Sequence, residues 1–462
     1  MLKIKILFVK LILLVIIGIS FSCNSSFLDI QFNKKLVIPK TLADYQSLLD
    51  NSTTMNSNRS FYLGLVSADE FYTNDALYNT LTSQTEKNLY IWKSGDIYDN
   101  EQVLDWNGSY KSILYANLVI EGLLALDDEI KLTSSWREAY GSAHFYRGSA
   151  FFYLTNTFAE QYVKETSNEK LGIPLRLKSD IEVGEQRSTV SECYDQVERD
   201  LKLSLDYLPN QAITPFRPSK PAAYAFLSRM YLQKNEFNMS LKYADSCLHI
   251  IDELVNYNSL TFTNTYPFPR NIASNKEVIF AEFVRCPNVM NEVNGTITEE
   301  LYELYDNHDI RKRAFYSTIQ NGGINFRGSY TGTDILFAGL TVAEVHLIKA
   351  ESAARMGDIE NAQISLDLLR MNRFENGYFV PFQFQNNNHL IEEILSERRR
   401  ELVFRGLRWY DLKRLNVSQQ YSKDLSREVN GSMYYLKAGD KRYVFPIPSD
   451  AVFLGGISQN DR

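Results

Sequence analysis

The stretches AYAFLSRMYLQKNEFNMSLKYADSCL (223–248) and VAEVHLIKAESAARMGDIENAQISLDLL (342–369) decide which fold the sequence predicts. Each reads as a helix, a tight polar turn and a second helix, with alanines where two helices approach closely. Ser219 can cap the first pair, Gly357 suits the left-handed position that ends a helix, and Asp358 can cap the next helix. This pattern is typical of tetratricopeptide repeats, although a plain helical hairpin in each place would also show it.

Further helical patterns precede the first repeat. Residues 106–126 and 134–158 carry apolar side chains at spacings of three and four. Thr189 and Glu192 form a capping box, which predicts a helix from there to Leu208, before Pro209. We therefore expect a mostly α-helical scaffold with repeats over about 106–255 and 340–415.

Two long segments, 51–105 and 256–339, have little sustained period and are rich in Asn, Ser, Thr, Gly and aromatic residues. Loops of this length in a compact protein are usually functional or poorly ordered, and the aromatic content favours function. Rings can stack on sugar faces or on apolar peptide side chains, and amides can bond to hydroxyls or backbone. The candidate ligand-binding residues are Tyr72, Asn74, Tyr90 and Trp92 from the first segment and Tyr266, Phe268, Phe326 and Tyr330 from the second.

The first residues indicate export. Three lysines precede the apolar run 11–19, and Ser22-Cys23 follows, which looks like the lipobox of bacterial lipoproteins, although Ser20 and Phe21 depart from it. We therefore expect residues 1–22 to be a lipoprotein signal peptide and Cys23 to carry lipid. The alternative is an ordinary cleaved signal in which Cys23 has no role.

The charge balance argues against nucleic acid as a partner. Without residues 1–22 the chain has 46 basic and 56 acidic residues, a net charge of −10. Three cysteines then remain beyond Cys23, with no short spacing, which excludes a disulfide framework or a zinc site as the organising principle. We expect Cys193, Cys247 and Cys286 to be small buried hydrophobic residues.

No signature of catalysis occurs in the sequence. The His-Glu-x-x-His, Gly-x-Ser-x-Gly and phosphate-loop patterns are absent, and the five histidines are scattered. His144 and His346 lie in helical patterns, where packing is the simpler role. Asp69-Glu70 could supply a glycosidase carboxylate, so a surface hydrolase remains an alternative. The prediction is a protein without enzymatic activity, cofactor or metal.

Several groups of residues occur in order along nearly the whole chain and together form a recognisable set. They are Phe27–Ile30 after Cys23, Ser67–Tyr72, Trp106–Tyr110 with Ile113–Asn117, Ala143–Arg147 with Phe151–Leu154, Gly172–Leu175, Ala343–Glu351, Glu397–Leu402 with Gly406–Arg414, Pro446–Pro448 and Gln459-Asn460. In this set the chain resembles the SusD/RagB family of Bacteroidetes outer-membrane lipoproteins. Thr341 departs from the family, which often has arginine there, so a buried ion pair is expected to be missing.

The resemblance implies a fold and a function. Residues 23–462 would form a single SusD-like domain whose segments 51–105 and 256–339 face the ligand. The protein would be anchored by lipid in the outer membrane, facing the cell exterior. It would act as a lid that delivers oligosaccharide to a SusC-like TonB-dependent transporter. Peptide ligands in the same role, and a lipid-anchored tetratricopeptide scaffold for protein partners, are the alternatives.

The motif Glu397–Leu402 is the most charged of these groups. On a helix its arginines and glutamates can form bidentate pairs with each other and with other elements. Because the motif lies among helices and not in the aromatic segments, we interpret it as structural. We expect Gly406 to end this helix and Trp409 to pack after it.

Overall fold

The computed structural model describes residues 39–57, 59–180, 184–291, 294–318 and 322–462. Thr41–Arg462 form one structural unit, to which the description below is confined. The expected signal peptide and Cys23 lie outside the described residues. Within those ranges, no helix combines the length and the apolar character needed to cross a membrane.

Helices carry most of the regular structure, as the repeats predicted, and eighteen α-helices lie in the described residues. In chain order they are α1 Leu42–Leu49, α2 Ser52–Met55, α3 Tyr62–Ser67, α4 Asp75–Thr80, α5 Gln84–Tyr90, α6 Leu104–Leu124, α7 Asp128–Lys131, α8 Ser134–Phe158, α9 Val190–Tyr207, α10 Lys220–Gln233, α11 Phe237–Leu248, α12 Glu299–Tyr302, α13 Arg311–Phe315, α14 Val342–Met356, α15 Ile359–Met371, α16 Asn387–Glu401, α17 Arg408–Leu415 and α18 Ser449–Gly455.

The strands of the described residues are short and form six antiparallel pairs, β1–β6, β2–β3, β4–β10, β5–β9, β7–β8 and β11–β12. They are β1 Phe71–Tyr72, β2 Leu171–Pro174, β3 Arg187–Thr189, β4 Val278–Phe280, β5 Phe283–Val284, β6 Thr296–Ile297, β7 Tyr316–Thr318, β8 Ile324–Phe326, β9 Leu336–Phe337, β10 Leu340–Thr341, β11 Leu425–Val429 and β12 Ser432–Leu436.

The two repeats that the sequence separates by a hundred residues are neighbours in the fold. Helix α10 packs on α11, α11 on α14, and α14 on α15. The Ser240 hydroxyl donates to the Ser228 carbonyl and accepts from the Ser352 hydroxyl, both at 3.0 Å, which links α10, α11 and α14. The stacked helical hairpins confirm the predicted fold class.

The predicted helix boundaries in this frame are confirmed. Ser219 caps α10, and Asp358 caps α15 by accepting from the Asn361 amide at 3.3 Å. Gly357 ends α14 with φ +83°, a left-handed conformation that side chains with a Cβ rarely adopt. The capping box of Thr189 and Glu192 starts α9.

Helix α8 is the centre of the amino-terminal half, and α6 and α9 pack against it. Its second half is buried on all sides. Asp200 of α9 accepts from the Arg147 Nε at 2.9 Å and lies 2.8 Å from the His144 Nδ1. His144 is thus held in packing, as expected.

Buried ion pairs hold the carboxy-terminal half together. The Arg311 guanidinium contacts Glu397 at 2.6 Å and Glu401 at 2.8 Å, and Arg373 bridges Glu401 at 2.8 Å and Glu277 at 2.9 Å. All five side chains are inaccessible to solvent. The structural interpretation of the charged motif is therefore confirmed.

Two details of this region differ from or refine the prediction. Helix α16 ends at Glu401, not at Gly406, which adopts φ +78° in the following turn, where its Cα packs against Phe61. Trp409 is buried after that turn, as expected. Thr341 accepts from the Arg405 guanidinium at 3.4 Å, and this buried arginine has no carboxylate partner in the described residues.

The two long segments are more regular than their composition indicated. The first contains α2, α3, α4 and α5, and the second contains β4 to β9 with α12 and α13. The polar residues that suggested loops are in part helix caps, because Asn51, Asn74 and Ser83 accept from backbone amides of α2, α4 and α5.

Among the described cysteines, Cys193 and Cys247 are buried as expected, whereas Cys286 is half-buried. Burial raises the pKa of the Cys193 thiol to about 11, which makes this thiol unreactive at neutral pH. Among the described residues, no cluster of His, Cys, Asp or Glu side chains is arranged to hold a metal ion.

Candidate ligand-binding site

Three of the predicted residues from the first segment lie around one cavity of about 380 Å³. These are Tyr72, Tyr90 and Trp92. Asn74 does not line this cavity, because its side chain caps α4 by accepting from the Leu77 amide at 2.9 Å. The opposite wall consists of residues 423–428, which lead into and form most of strand β11.

Strand β1 determines which ring faces solvent. It pairs with β6, with Tyr72 opposite Thr296, and successive side chains of a strand point to opposite faces. Phe71 is therefore in the core, while Tyr72 is 47 % exposed. Tyr72 presents its ring at the mouth of the cavity.

Tyr90 and Trp92 form a fixed floor beneath Tyr72. Both are almost fully buried, and the Trp92 indole Nε1 donates to the Ser67 carbonyl at 2.9 Å. Trp92 has φ +52°, an unusual left-handed conformation for a bulky residue, at the end of α5. The Tyr90 hydroxyl accepts from the Thr73 amide at 3.0 Å. In this conformation the two rings support the cavity from below, and Tyr72 is the ring that a ligand meets first.

Arg427 of β11 lies against this floor. Its guanidinium carbon is 4.0 Å from the centre of the Tyr90 ring and 4.7 Å from that of Trp92. Its N–H groups donate to the backbone carbonyls of Val66, Ala68 and Tyr90. Burial lowers the pKa of Arg427 to about 10, and three of its N–H groups hold the floor.

The rim carries a network of ion pairs around Asp69. Its carboxylate accepts from Arg408 at 2.6 and 2.8 Å, from Lys423 at 2.9 Å and from Arg399 at 3.4 Å. Burial alone would raise the pKa of Asp69, but these three cations lower it well below its usual value. Glu300 accepts from Lys423 and Arg399, each at 2.7 Å, and extends the network to the surface.

Glu70 points the other way, into the protein. Burial, together with the nearby Asp69 charge, raises the pKa of Glu70 to about 8. The Phe404 amide donates to its Oε1 at 3.3 Å, and its Oε2 has no partner in the described residues. Asp69 and Glu70 therefore do not face a common space, as a pair of glycosidase carboxylates would.

The predicted residues of the second segment do not line this cavity. Phe268 and Tyr330 are buried, and the Tyr330 hydroxyl donates to Glu277 at 2.6 Å and to Glu401 at 3.2 Å, within the buried ion-pair network. Phe326 is half-buried on Phe404, with ring centres 4.8 Å apart, and Tyr266 is half-buried. The structure thus separates the two predicted sets.

Sequence reasoning missed the hairpin that builds the second wall. Leu425, Arg427 and Val429 are buried and alternate with exposed residues, and Asn430-Gly431 forms the turn, with φ +50° and +72°. Alternation followed by Asn-Gly is the strongest short-range hairpin signal, so this element was detectable in the sequence.

Comparisons with known proteins agree with this architecture. Residues 26–232 match a family described as starch-binding and associating with the outer membrane, and residues 329–461 match the SusD family. SusD-like protein P2 of Formosa agariphila is 23 % identical over 451 residues, which cover 82 % of this chain and 85 % of that protein.

Solved structures share the fold over almost the whole chain. A SusD superfamily protein of Bacteroides thetaiotaomicron superposes with a TM-score of 0.75 at 23 % identity, covering 91 % of this chain and 100 % of its own. A putative sugar binding protein of Bacteroides vulgatus gives a TM-score of 0.72 at 24 % identity, covering 92 % and 99 %. A SusD-like carbohydrate binding protein of the same species gives 0.69 at 18 % identity, covering 90 % and 97 %. With the two family matches and the shared fold, the chain belongs to the SusD/RagB family.

Proposed function

We propose that this chain is a glycan-binding outer-membrane lipoprotein that captures oligosaccharide and passes it to a SusC-like TonB-dependent transporter. The exposed Tyr72 ring above a fixed floor is the observation that carries this proposal. A ring can stack on the apolar face of a sugar, and a floor already held in place loses little conformational freedom on binding. The two relatives named as sugar binding and carbohydrate binding support the same class of ligand.

The protein would bind without catalysis. The Asp69 carboxylate is engaged by three cations, and Glu70 is turned into the core. Neither carboxyl group is placed to protonate a glycosidic oxygen next to the other. Turnover of sugar or peptide by the purified chain would contradict this part of the proposal.

Delivery would depend on a lipid at Cys23. Such an anchor holds the protein at the membrane, and the tether raises its local concentration over a transporter, so modest contacts suffice for it to act as a lid. Closure of the lid would sequester the ligand before import. Mass spectrometry of the mature amino terminus tests the anchor directly, because an acylated Cys23 is expected. The Cys23→Ser variant should be lost from the outer-membrane fraction of the cells.

The ligand class is tested on an array of oligosaccharides and peptides, followed by calorimetry with the full chain in detergent. Tyr72→Ala should weaken binding of the oligosaccharide at least tenfold. Tyr378→Ala is the matched control, because Tyr378 is an exposed ring that stacks on His308 and does not line the cavity. If the chain binds peptides and no oligosaccharide, the proposed ligand becomes a peptide and the proposed role stays the same. If Tyr72→Ala and Tyr378→Ala weaken binding equally, the cavity is not the binding site.

Co-purification tests the partner. Mild crosslinking on cells that carry the full chain, followed by extraction in detergent, should recover a TonB-dependent barrel with it. A tetratricopeptide scaffold would instead recover other proteins and would bind no glycan.

A further inference from the structure

We infer that the cavity selects uncharged oligosaccharides over anionic ones, and that Glu428 and Tyr435 of the β11–β12 hairpin determine this preference. The inference rests on the proposed glycan-binding function and adds the ligand's charge class and two residues to it. Three features support the inference: cations that are already paired, one carboxylate without a partner in the described residues, and a second exposed ring nearby.

The cations that line the cavity are already committed. The Lys423 Nζ donates to Asp69 at 2.9 Å and to both Glu300 oxygens at 2.7 Å, which uses its three protons. Arg427 donates to three backbone carbonyls and is buried against rings. Recognition of a carboxylate or sulfate is strongest where N–H donors are free. The Lys423 ammonium has none left, and Arg427 is buried with three of its N–H groups already bonded.

The carboxylates that line the cavity differ in how they are paired. Asp69 and Glu300 form ion pairs with Lys423 and with arginines at the rim. Glu428 is exposed and has neither an ion pair nor a hydrogen bond within the described part of the chain. Its charge therefore remains to repel an anionic sugar, whereas a neutral sugar can donate hydroxyl hydrogen bonds to the same oxygens.

The hairpin also supplies a second ring. Tyr435 lies directly opposite Ser426 in the β11–β12 register, and Ser426 lines the cavity. Residues paired across antiparallel strands project from the same face, so Tyr435 borders the cavity along the hairpin. Its ring is 58 % exposed, next to a residue that lines the cavity. Two exposed rings near carboxylate oxygens that accept hydroxyl hydrogen bonds suit a chain of uncharged sugar units.

The test uses the full chain in detergent and two sets of probes. One set contains neutral gluco-, xylo- and manno-oligosaccharides, and the other contains oligogalacturonates, alginate oligomers and sulfated galactan oligomers. The wild type should bind members of the neutral set only, with affinity that changes little between 50 and 500 mM NaCl, because neutral ligands are not screened.

Variants separate the local charge from the net charge. Glu428→Lys should raise the affinity for anionic probes at least tenfold, while Glu129→Lys, an equal change of net charge at an exposed residue away from the cavity, should not. Tyr435→Ala should weaken binding of the neutral ligand about tenfold, and Tyr435→Phe should retain it.

The outcomes are distinguishable. Wild-type binding of anionic probes equal to or tighter than that of neutral probes would overturn the inference and leave the glycan-binding proposal standing. Equal behaviour of Glu428→Lys and Glu129→Lys, or an unchanged affinity for Tyr435→Ala, would also overturn it. Absence of binding to every oligosaccharide would reject the proposed function and the inference with it.

Discussion

Charged side chains are buried and paired in the helical frame, whereas at the cavity some of them are exposed and one is unpaired in the described residues. In the frame, Arg311 and Arg373 meet Glu277, Glu397 and Glu401 with no access to solvent. At the cavity, Lys423 is a third exposed, and Glu428 is unpaired in the described part of the chain. A buried network fixes one arrangement of helices, whereas a partly wet one can exchange partners. The frame therefore carries fold stability, and the cavity is where we propose that ligands are selected.

Removing a charge from the frame should have the largest effect. Arg311→Met leaves Asp309 without its cation and weakens the support of Glu397 and Glu401, so a loss of about 3–5 kcal/mol in the free energy of unfolding is expected. Urea denaturation measures it. Lys276→Ala breaks the exposed pair with Glu253 and should cost at most about 1 kcal/mol. Equal losses in both variants would remove the contrast between buried and exposed pairs.

A change in the turn between the charged motif and α17 should come next. In Gly406→Ala the new Cβ would lie 2.3 Å from the Phe61 Cβ, at a residue with φ +78°. Strain and overpacking of this kind typically cost about 1–3 kcal/mol each. Gly431→Ala, also at positive φ but with open space around it, isolates the conformational part of the cost. A smaller loss in Gly406→Ala than in Gly431→Ala would contradict the close packing.

Glu70 offers a pH-dependent test at the boundary between the two regions. Its folded-state pKa of about 8 lies above its usual value of 4.5, so the stability associated with the protonated form is present below pH 4.5 and is lost as the pH rises through 8. Glu70→Gln should match the wild type near pH 4.5 and exceed its stability by about 4 kcal/mol at pH 8, since each unit of pKa difference corresponds to about 1.4 kcal/mol. Thermal unfolding across this range measures the difference. A constant difference between the two proteins would contradict a buried neutral carboxyl group.

The smallest effect on stability is expected at the exposed ring. Tyr72→Ala should change the free energy of unfolding by less than about 0.5 kcal/mol, because Tyr72 projects into solvent. Trp92→Ala, in the floor directly below, should cost about 3–5 kcal/mol. Measuring both stability and ligand affinity for Tyr72→Ala and Trp92→Ala would show whether one ring contacts the ligand while the other supports the fold. A destabilised Tyr72→Ala would place this ring in the core as well.

The frame was predictable because its signals are local. Caps such as Ser219, Thr189 and Asp358 and the left-handed Gly357 act within a few residues, and the structure confirms each of them. The role of the charged motif was also predictable, because arginines and glutamates one helical turn apart seek partners. The assignment of Arg311 and Arg373 to these glutamates was not, since it requires knowledge of the tertiary contacts.

The cavity was predictable only in part, because rings in aromatic segments serve both core and surface. Tyr72 is exposed, and Trp92 is buried two positions after Tyr90, a distinction set by long-range packing on Arg427. Phe268 and Tyr330 are likewise buried by contacts with residues distant in the sequence. The aromatic composition of the first segment indicated that it contributes to the cavity. It could not indicate that strand β11, near the other end of the chain, forms the opposite wall.

The salt bridge between Lys423 and Asp69 joins residues 354 positions apart. A polypeptide grows from its amino end, so the helices of both repeats exist before the hairpin that completes the opposite wall. The opening and its rim are thus among the last parts of the molecule to assemble. A chain cut before the hairpin would lack the second wall of the cavity, so the proposed place for cargo exists only after the carboxy-terminal part has been made.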